Sequence, residues 1–173
     1  MSMTSEVEAL TVATGSASPE VPWAAHLRLA EAALAERNLG AAVRAWDAAH
    51  LAAVGSLSWE GLIEVGDAYL RIGEVSGLRD TTLATARRAY FAGLFRACQK
   101  DSLEGVLRTA EAFTRLGDTQ VVDECVGLAN LLASNDPSAR ARVTAFARER
   151  RLGPLSPPAT QGPPDGAASA SPP

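Results

Sequence analysis

Few residues of this chain have both the type and the spacing that catalysis requires. His26 and His50 are its only histidines, and neither belongs to a metal-binding pattern. The sequence contains no glycine-rich phosphate loop and no G-x-S-x-G nucleophile motif. Cys98 and Cys125 lie on different predicted helices without a C-x-x-C motif, which predicts neither a zinc site nor a disulfide framework. We therefore expect a protein that is not an enzyme and that uses no metal or cofactor.

The charge balance argues against nucleic acid as a partner. The net charge is -4, with acidic and basic residues interspersed, whereas nucleic-acid binders usually carry a basic patch. One basic cluster spans Arg140 to Arg151, and we interpret it as the solvated, cationic end of a last helix. The sequence contains no run of about 18 apolar residues, so no membrane-spanning helix is predicted. Because the chain begins without a basic and apolar leader, a cytoplasmic location is expected.

Helices are the elements that must position the charged residues. Apolar residues recur at helical spacing, and an alanine-rich composition favours closely packed helices. The helices are expected to begin after Ser58, after Asp101 or Ser102, and after Asp136, and to end at Gly55, Gly73 and Gly117. The predicted helices cover about residues 23–37, 41–54, 59–73, 82–99, 103–117, 119–133 and 137–152.

The composition divides the chain into three parts. Residues 1–18 are rich in Ser, Thr, Ala and Gly and lack helical periodicity, which predicts a disordered N-terminal arm. Residues 153–173 are rich in Pro, Ala and Ser, which predicts a disordered tail. Residues 19–152 are expected to form one helical domain with a small core.

Two stretches of this domain repeat one another at an offset of 44 residues. Residues 58–74 read SWEGLIEVGDAYLRIGE, and residues 102–118 read SLEGVLRTAEAFTRLGD. Two unrelated amphipathic helices rarely share a capping serine, a small interior residue and a terminal glycine followed by an acid. An internal repeat is therefore the better explanation, and repeats of this length predict a solenoid.

The repeated pattern resembles the tetratricopeptide repeat (TPR), in which small and aromatic residues of paired helices interlock. About eight residues near Val75–Thr85 are additional to that pattern. The resemblance implies an all-α fold: an α-solenoid of about three antiparallel helical hairpins and a C-terminal capping helix. It rests on Leu62, Val65, Gly66, Tyr69, Gly73, Ala86, Tyr90 and Gly93 in one unit, on Val106, Ala110, Phe113, Gly117, Val122, Val126 and Ala129 in the next, and on Leu29, Ala30, Ala33, Ala42, Trp46 and Ala49 in a weaker first unit.

In such a fold the first helix of each hairpin lines a concave inner surface. The resemblance places there one acid per repeat, two arginines and an apolar strip: Glu31, Asp67, Glu111; Arg71, Arg115; Ile63, Leu107. This predicts a groove with an apolar floor and an acidic row, suited to a peptide with basic and apolar residues. Alternatively, Asp67/Arg71 and Glu111/Arg115 are i, i+4 pairs that stabilise their own helices by ~0.2–0.5 kcal/mol each.

The resemblance implies a protein–protein interaction module, or adaptor, that binds a peptide or helix of a partner protein in this groove. Neither nucleic acid nor a membrane is expected as a partner. Two other functions agree with the same residues. One is a small secretion-type chaperone for a partner protein, and the other is a self-associating structural subunit that would form a homo-oligomer.

Overall fold

A computed structural model describes residues 21–152, and the side chains of residues 21–150. This part contains no β-strand, so the predicted all-α class is confirmed. None of its helices is long and apolar enough to cross a membrane. The predicted arm (1–18) and tail (153–173) lie outside the described residues. The helices are α1 (Ala24–Ala35), α2 (Leu39–Gly55), α3 (Trp59–Ser76), α4 (Arg79–Gln99), α5 (Leu103–Leu116), α6 (Thr119–Leu132) and α7 (Pro137–Leu152).

The ends of α5 and the start of α7 lie where their capping residues predict. Ser102 Oγ accepts a hydrogen bond from the Gly105 amide at 3.0 Å. Gly117 terminates α5 in the left-handed conformation, with φ 77°. Asp136 Oδ1 accepts a hydrogen bond at 2.8 Å from an amide in the first turn of α7. Local sequence is therefore sufficient to set these ends.

The helices α3 and α4 extend further than the sequence predicts. We expected α3 to end at Gly73 and α4 to begin near Thr82, and both expectations are wrong. The turn between them forms instead at Gly77, which has φ 74°. Gly73 stays helical, and Thr82 packs directly against it: a Cβ at Gly73 would lie 2.1 Å from Thr82 Oγ1. This glycine permits close helix contact rather than ending a helix.

Two other residues that were expected to mark helix ends, Gly55 and Ser58, behave differently from the expectation. Gly55 is the last residue of α2, and the left-handed residue that follows is Leu57, with φ 56°. Ser58 occupies the N-cap of α3 but accepts no hydrogen bond from a backbone amide. Its hydroxyl donates to the Glu60 side chain.

Close contacts fix the relative direction of neighbouring helices. Gly73 faces Thr82 and Gly66 faces Tyr90, so α3 and α4 run antiparallel. The helices α1, α3 and α5 also contact one another in that order. Within the described residues, by contrast, no Cα atom of α2, α4 or α6 lies within 8 Å of another of these three helices.

A tryptophan covers a glycine at each junction between α1, α3 and α5. A Cβ at Gly61 would lie 2.7 Å from the ring of Trp23, and one at Gly105 would lie 2.9 Å from the ring of Trp59. In both cases the ring belongs to the start of one helix and the glycine to the start of the next. These three helices are therefore parallel and packed at small residues.

The core consists of two neighbouring clusters, each built around aromatic rings. In the first, Trp46 Nε1 donates to the Val65 carbonyl at 2.6 Å, and its ring lies 4.2 Å from that of Tyr69. In the second, the rings of Tyr90 and Phe113 meet edge to face at 5.7 Å. Small residues surround these rings, so the helices pack around them closely.

The two cysteines are free thiols of the second cluster. Cys98 lies on α4 and Cys125 on α6, and no Cα of one helix is within 8 Å of the other, which is too far for a disulfide. Burial raises the pKa of Cys125 to about 11. At neutral pH its reactive thiolate form is therefore scarce.

We expect folded protein to protect Cys125 from iodoacetamide at neutral pH, because the thiol is both buried and protonated. Peptide mass spectrometry after timed labelling measures this, with protein in denaturant as the control. Labelling of Cys125 at the same rate in both conditions would contradict the expectation.

Replacement of Gly66 tests the close packing of α3 against α4. In Gly66→Ala a Cβ would lie 2.4 Å from Tyr90 Cε1. We expect the free energy of unfolding to fall by about 1–3 kcal/mol, although alanine is the better helix former. Gly127→Ala on α6 is the matched control, since its Cβ would meet no atom within 4 Å. It should gain about 0.5–1 kcal/mol. Urea denaturation measures both variants, and equal effects would refute the packing argument.

Candidate functional site

Two arginines join successive members of the α1, α3 and α5 series. Arg71 Nη2 lies 2.7 Å from Glu31 Oε1, which links α3 to α1. Arg115 Nη2 lies 2.6 Å from Asp67 Oδ1, which links α5 to α3. The partners occupy equivalent positions in the repeat, so one interaction recurs at two junctions. These arginines therefore pair across helices and not with the acid one turn earlier in their own helix.

Asp67 accepts two hydrogen bonds at one carboxylate oxygen. Besides Arg115, the Tyr90 hydroxyl donates to Oδ1 at 2.5 Å. Burial and this hydrogen bond raise the pKa of Tyr90 well above its ordinary value, so the phenol remains a donor at physiological pH. Partial burial lowers the pKa of Arg115, but the Asp67 carboxylate and the Tyr90 hydroxyl together more than offset this and keep that pKa above its ordinary value. Side chains from α3, α4 and α5 thus form one charged cluster.

Two clefts open on the side of the molecule where these ion pairs lie. The larger cleft, about 330 Å³, lies where α3, α4 and α5 meet. The smaller cleft, about 300 Å³, lies between α1 and α3. They adjoin, because Asp67 and Arg71 line both. The larger cleft is lined by Asp67, Leu70, Arg71, Glu74, Arg79, Thr82, Leu83, Arg115 and Leu116, and the smaller one by Ala24, Leu27, Arg28, Glu31, Glu64, Asp67 and Arg71.

One wall of the larger cleft comes from the residues that are additional to the repeat. Compared with α5 and α6, α3 carries one more turn at its end and α4 one more turn at its start. Glu74, Arg79 and Thr82 belong to this extension and line the cleft. The contact between Gly73 and Thr82 holds the two added turns together. The extension therefore deepens the cleft beyond what the repeat alone would provide.

Four of the seven predicted site residues line these clefts: Glu31, Asp67, Arg71 and Arg115. They do not form a free acidic row, because each of the two acids is paired with an arginine of the next helix. The charge of these acids is thus largely neutralised before any partner binds.

The other three predicted residues line neither cleft. Ile63 and Leu107 are 2% and 7% exposed, so they are core residues rather than an exposed apolar floor. Glu111 lies on the exposed side of α5, with its Oε2 4.0 Å from Nε of Arg108. The apolar surface of the larger cleft comes instead from three half-buried leucines that sequence reasoning missed: Leu70, Leu83 and Leu116. The additional residues at the end of α3 and the start of α4 could have pointed to Leu83, which directly follows them, but no sequence signal pointed to Leu70 or Leu116.

Among the charged residues of the larger cleft, two stay available to a partner. Glu74 and Arg79 are exposed and form no ion pair with any residue between 21 and 150. Both belong to the extension of α3 and α4. Charged contacts with a bound molecule would therefore fall mainly on this wall.

In comparisons with protein-family models, with curated proteins and with solved structures, the chain has no match. A functional assignment therefore depends on the chain's own residues and contacts.

Replacement of Asp67 and of Glu31 tests whether the Arg115–Asp67 pair stabilises the fold more than the Arg71–Glu31 pair does. Asp67→Asn removes the charge from a side chain that is 30% exposed and accepts two hydrogen bonds. We expect a loss of about 1–2 kcal/mol in the free energy of unfolding. Glu31→Gln is the control, because its side chain is 55% exposed, and it should change stability by less than about 0.5 kcal/mol. Thermal or urea unfolding measures the stability of both variants. A larger loss of unfolding free energy in Glu31→Gln than in Asp67→Asn would contradict the expectation.

Proposed function

We propose that the chain is a protein–protein interaction module, an adaptor that binds a peptide or helix of a partner protein in the two adjoining clefts. The observation that carries the proposal is their continuity across α1, α3 and α5 through Asp67 and Arg71. Two joined clefts of about 300 Å³ each suit an extended segment better than a single small molecule.

The proposed architecture is a TPR-like α-solenoid in which α1–α2, α3–α4 and α5–α6 are antiparallel hairpins and α7 is the cap. The contact pattern supports it, since each helix packs on the next and α1, α3, α5 and α7 pack in series. The recurrence of one tryptophan–glycine contact and one ion pair at two successive junctions supports it further. In this arrangement the clefts lie on the inner surface.

The chemistry of the clefts suggests what the partner segment contains. Leu70, Leu83 and Leu116 offer an apolar surface to aliphatic side chains. Glu74 and Arg79 have no ion-pair partner among residues 21–150, so both a basic and an acidic residue of the partner would gain a contact. We therefore propose a segment with aliphatic residues and charges of both signs, in place of the purely basic one that an acidic row would favour.

Affinity purification of the full chain from its native cells, followed by quantitative mass spectrometry, tests this function. The test variant is the double substitution Glu74→Lys with Arg79→Glu, which reverses the unpaired charges and leaves the net charge unchanged. We expect recovery of a specific protein partner to fall about 10-fold or more, as the loss of one good charged contact would predict.

The matched control is Glu36→Lys with Lys100→Glu, which reverses two exposed charges that line neither cleft. Circular dichroism should show the same helicity for both double variants. Undiminished recovery with the cleft variant would count against the clefts as the binding surface, and so would an equal loss with the control.

A further inference from the structure

The outer helices α2, α4 and α6 carry a large apolar residue at one equivalent position. Their register is set by small or aliphatic residues that are buried along all three helices: Ala42, Ala49 and Ala53 in α2, Ala86, Gly93 and Ala97 in α4, and Val122 and Ala129 in α6 with Ala133 at its C-cap. Two residues after the middle member of each set come Leu51, Phe95 and Leu131. Their exposed fractions are 72%, 61% and 72%, so all three project outward.

Other apolar residues enlarge this outer surface. Val54 lies near the end of α2, three residues after Leu51, and Leu57 follows the end of that helix. Phe91 precedes Phe95 by one turn of α4. Val54, Leu57 and Phe91 are all exposed. The six side chains expose on the order of 500 Å² of apolar surface, if Phe contributes about 200 Å² and Leu or Val about 100 Å² when fully exposed. A standard interface buries about 800 Å² per partner, of which roughly 60% is apolar. The area therefore suffices for one stable interface.

We propose that a second copy of this chain covers this outer surface and forms a twofold dimer. The inference rests on the hairpin arrangement proposed above and not on the clefts. In that arrangement α2, α4 and α6 follow one another along the outer side without close contact between their backbones. A twofold axis that lies in the interface, parallel to α4, places Phe95 against its own copy. It also places α2 of each protomer against α6 of the other, so that Leu51 meets Leu131.

The exposed charges agree with this pairing. Arg44, seven residues before Leu51, and Glu124, seven residues before Leu131, occupy equivalent positions on α2 and α6 and are exposed. The same axis brings them together, which gives one pair of opposite charges on each side of the dimer. Arg88 occupies the equivalent position on α4, so the same axis brings it towards its own copy. Its long side chain can keep the two like charges apart by reaching into solvent.

Sedimentation velocity of the full chain from about 1 to 100 µM tests the proposal, since an interface of this size gives dissociation constants in or below that range. We expect a monomer–dimer equilibrium in the native chain. Phe95→Asp should raise the dimer dissociation constant about 30-fold or more, as for a central aromatic contact. Leu29→Asp is the matched control, because Leu29 is exposed on α1, outside the proposed interface, and this variant should dimerise normally.

Circular dichroism checks that both variants stay folded. A native chain that remains monomeric over the whole range overturns the proposal, and so does Phe95→Asp with unchanged self-association or an equal loss in Leu29→Asp. The cleft variant with Glu74→Lys and Arg79→Glu should still dimerise, which separates this inference from the adaptor function.

A charge exchange tests the contact between α2 and α6. Glu124→Arg alone should weaken the dimer, because it faces Arg44 with a like charge. Adding Arg44→Glu should restore the native dissociation constant. If the double variant stays as weak as Glu124→Arg, the proposed pairing of α2 with α6 is wrong.

Discussion

The close approach of helices at small residues is the constraint on which the rest of this structure depends. At Gly61, Gly66 and Gly105 an aromatic ring of a neighbouring helix occupies the space that a Cβ would need. This packing holds α1, α3 and α5 parallel and in contact, and only then can an arginine of one helix reach an acid of the one before it. The ion pairs, and the clefts between them, are consequences of the same backbone separation.

Local signals in the sequence were sufficient for much of this architecture. The helical class, the ends of α5 and the start of α7 follow from periodicity and capping residues. The repeat alignment placed Glu31 and Asp67 at equivalent positions, and both line the clefts. Alignment succeeds for these two because each meets an arginine of the next helix in the series. Glu111, which the same alignment placed with them, lies beside Arg108 of its own helix and lines neither cleft.

The remaining features depend on the rotation of each helix about its axis, which a sequence pattern does not define. The faces that point to the core and to the clefts differ by only one or two residues along a helix. Ile63 and Leu107 therefore lie in the interior, although their neighbours reach the surface. In the same way, Arg71 has an acid one turn earlier in its own helix but pairs with the preceding helix. Gly73 was misread because a glycine that ends a helix and one that admits Thr82 look alike in sequence.

The added turns of α3 and α4 change the depth of one cleft without changing how the helices pack. Four residues in an α-helix make about one turn, with an angular error of about 40°, so the lengthened hairpin presents nearly the same faces to its neighbours. An equal insertion in both helices leaves the core contacts intact and only raises the rim. The depth of the larger cleft can therefore change through the lengths of α3 and α4 alone, independently of the residues that hold the helices together. In the proposed adaptor, variation in length would then alter partner choice at little cost to folding.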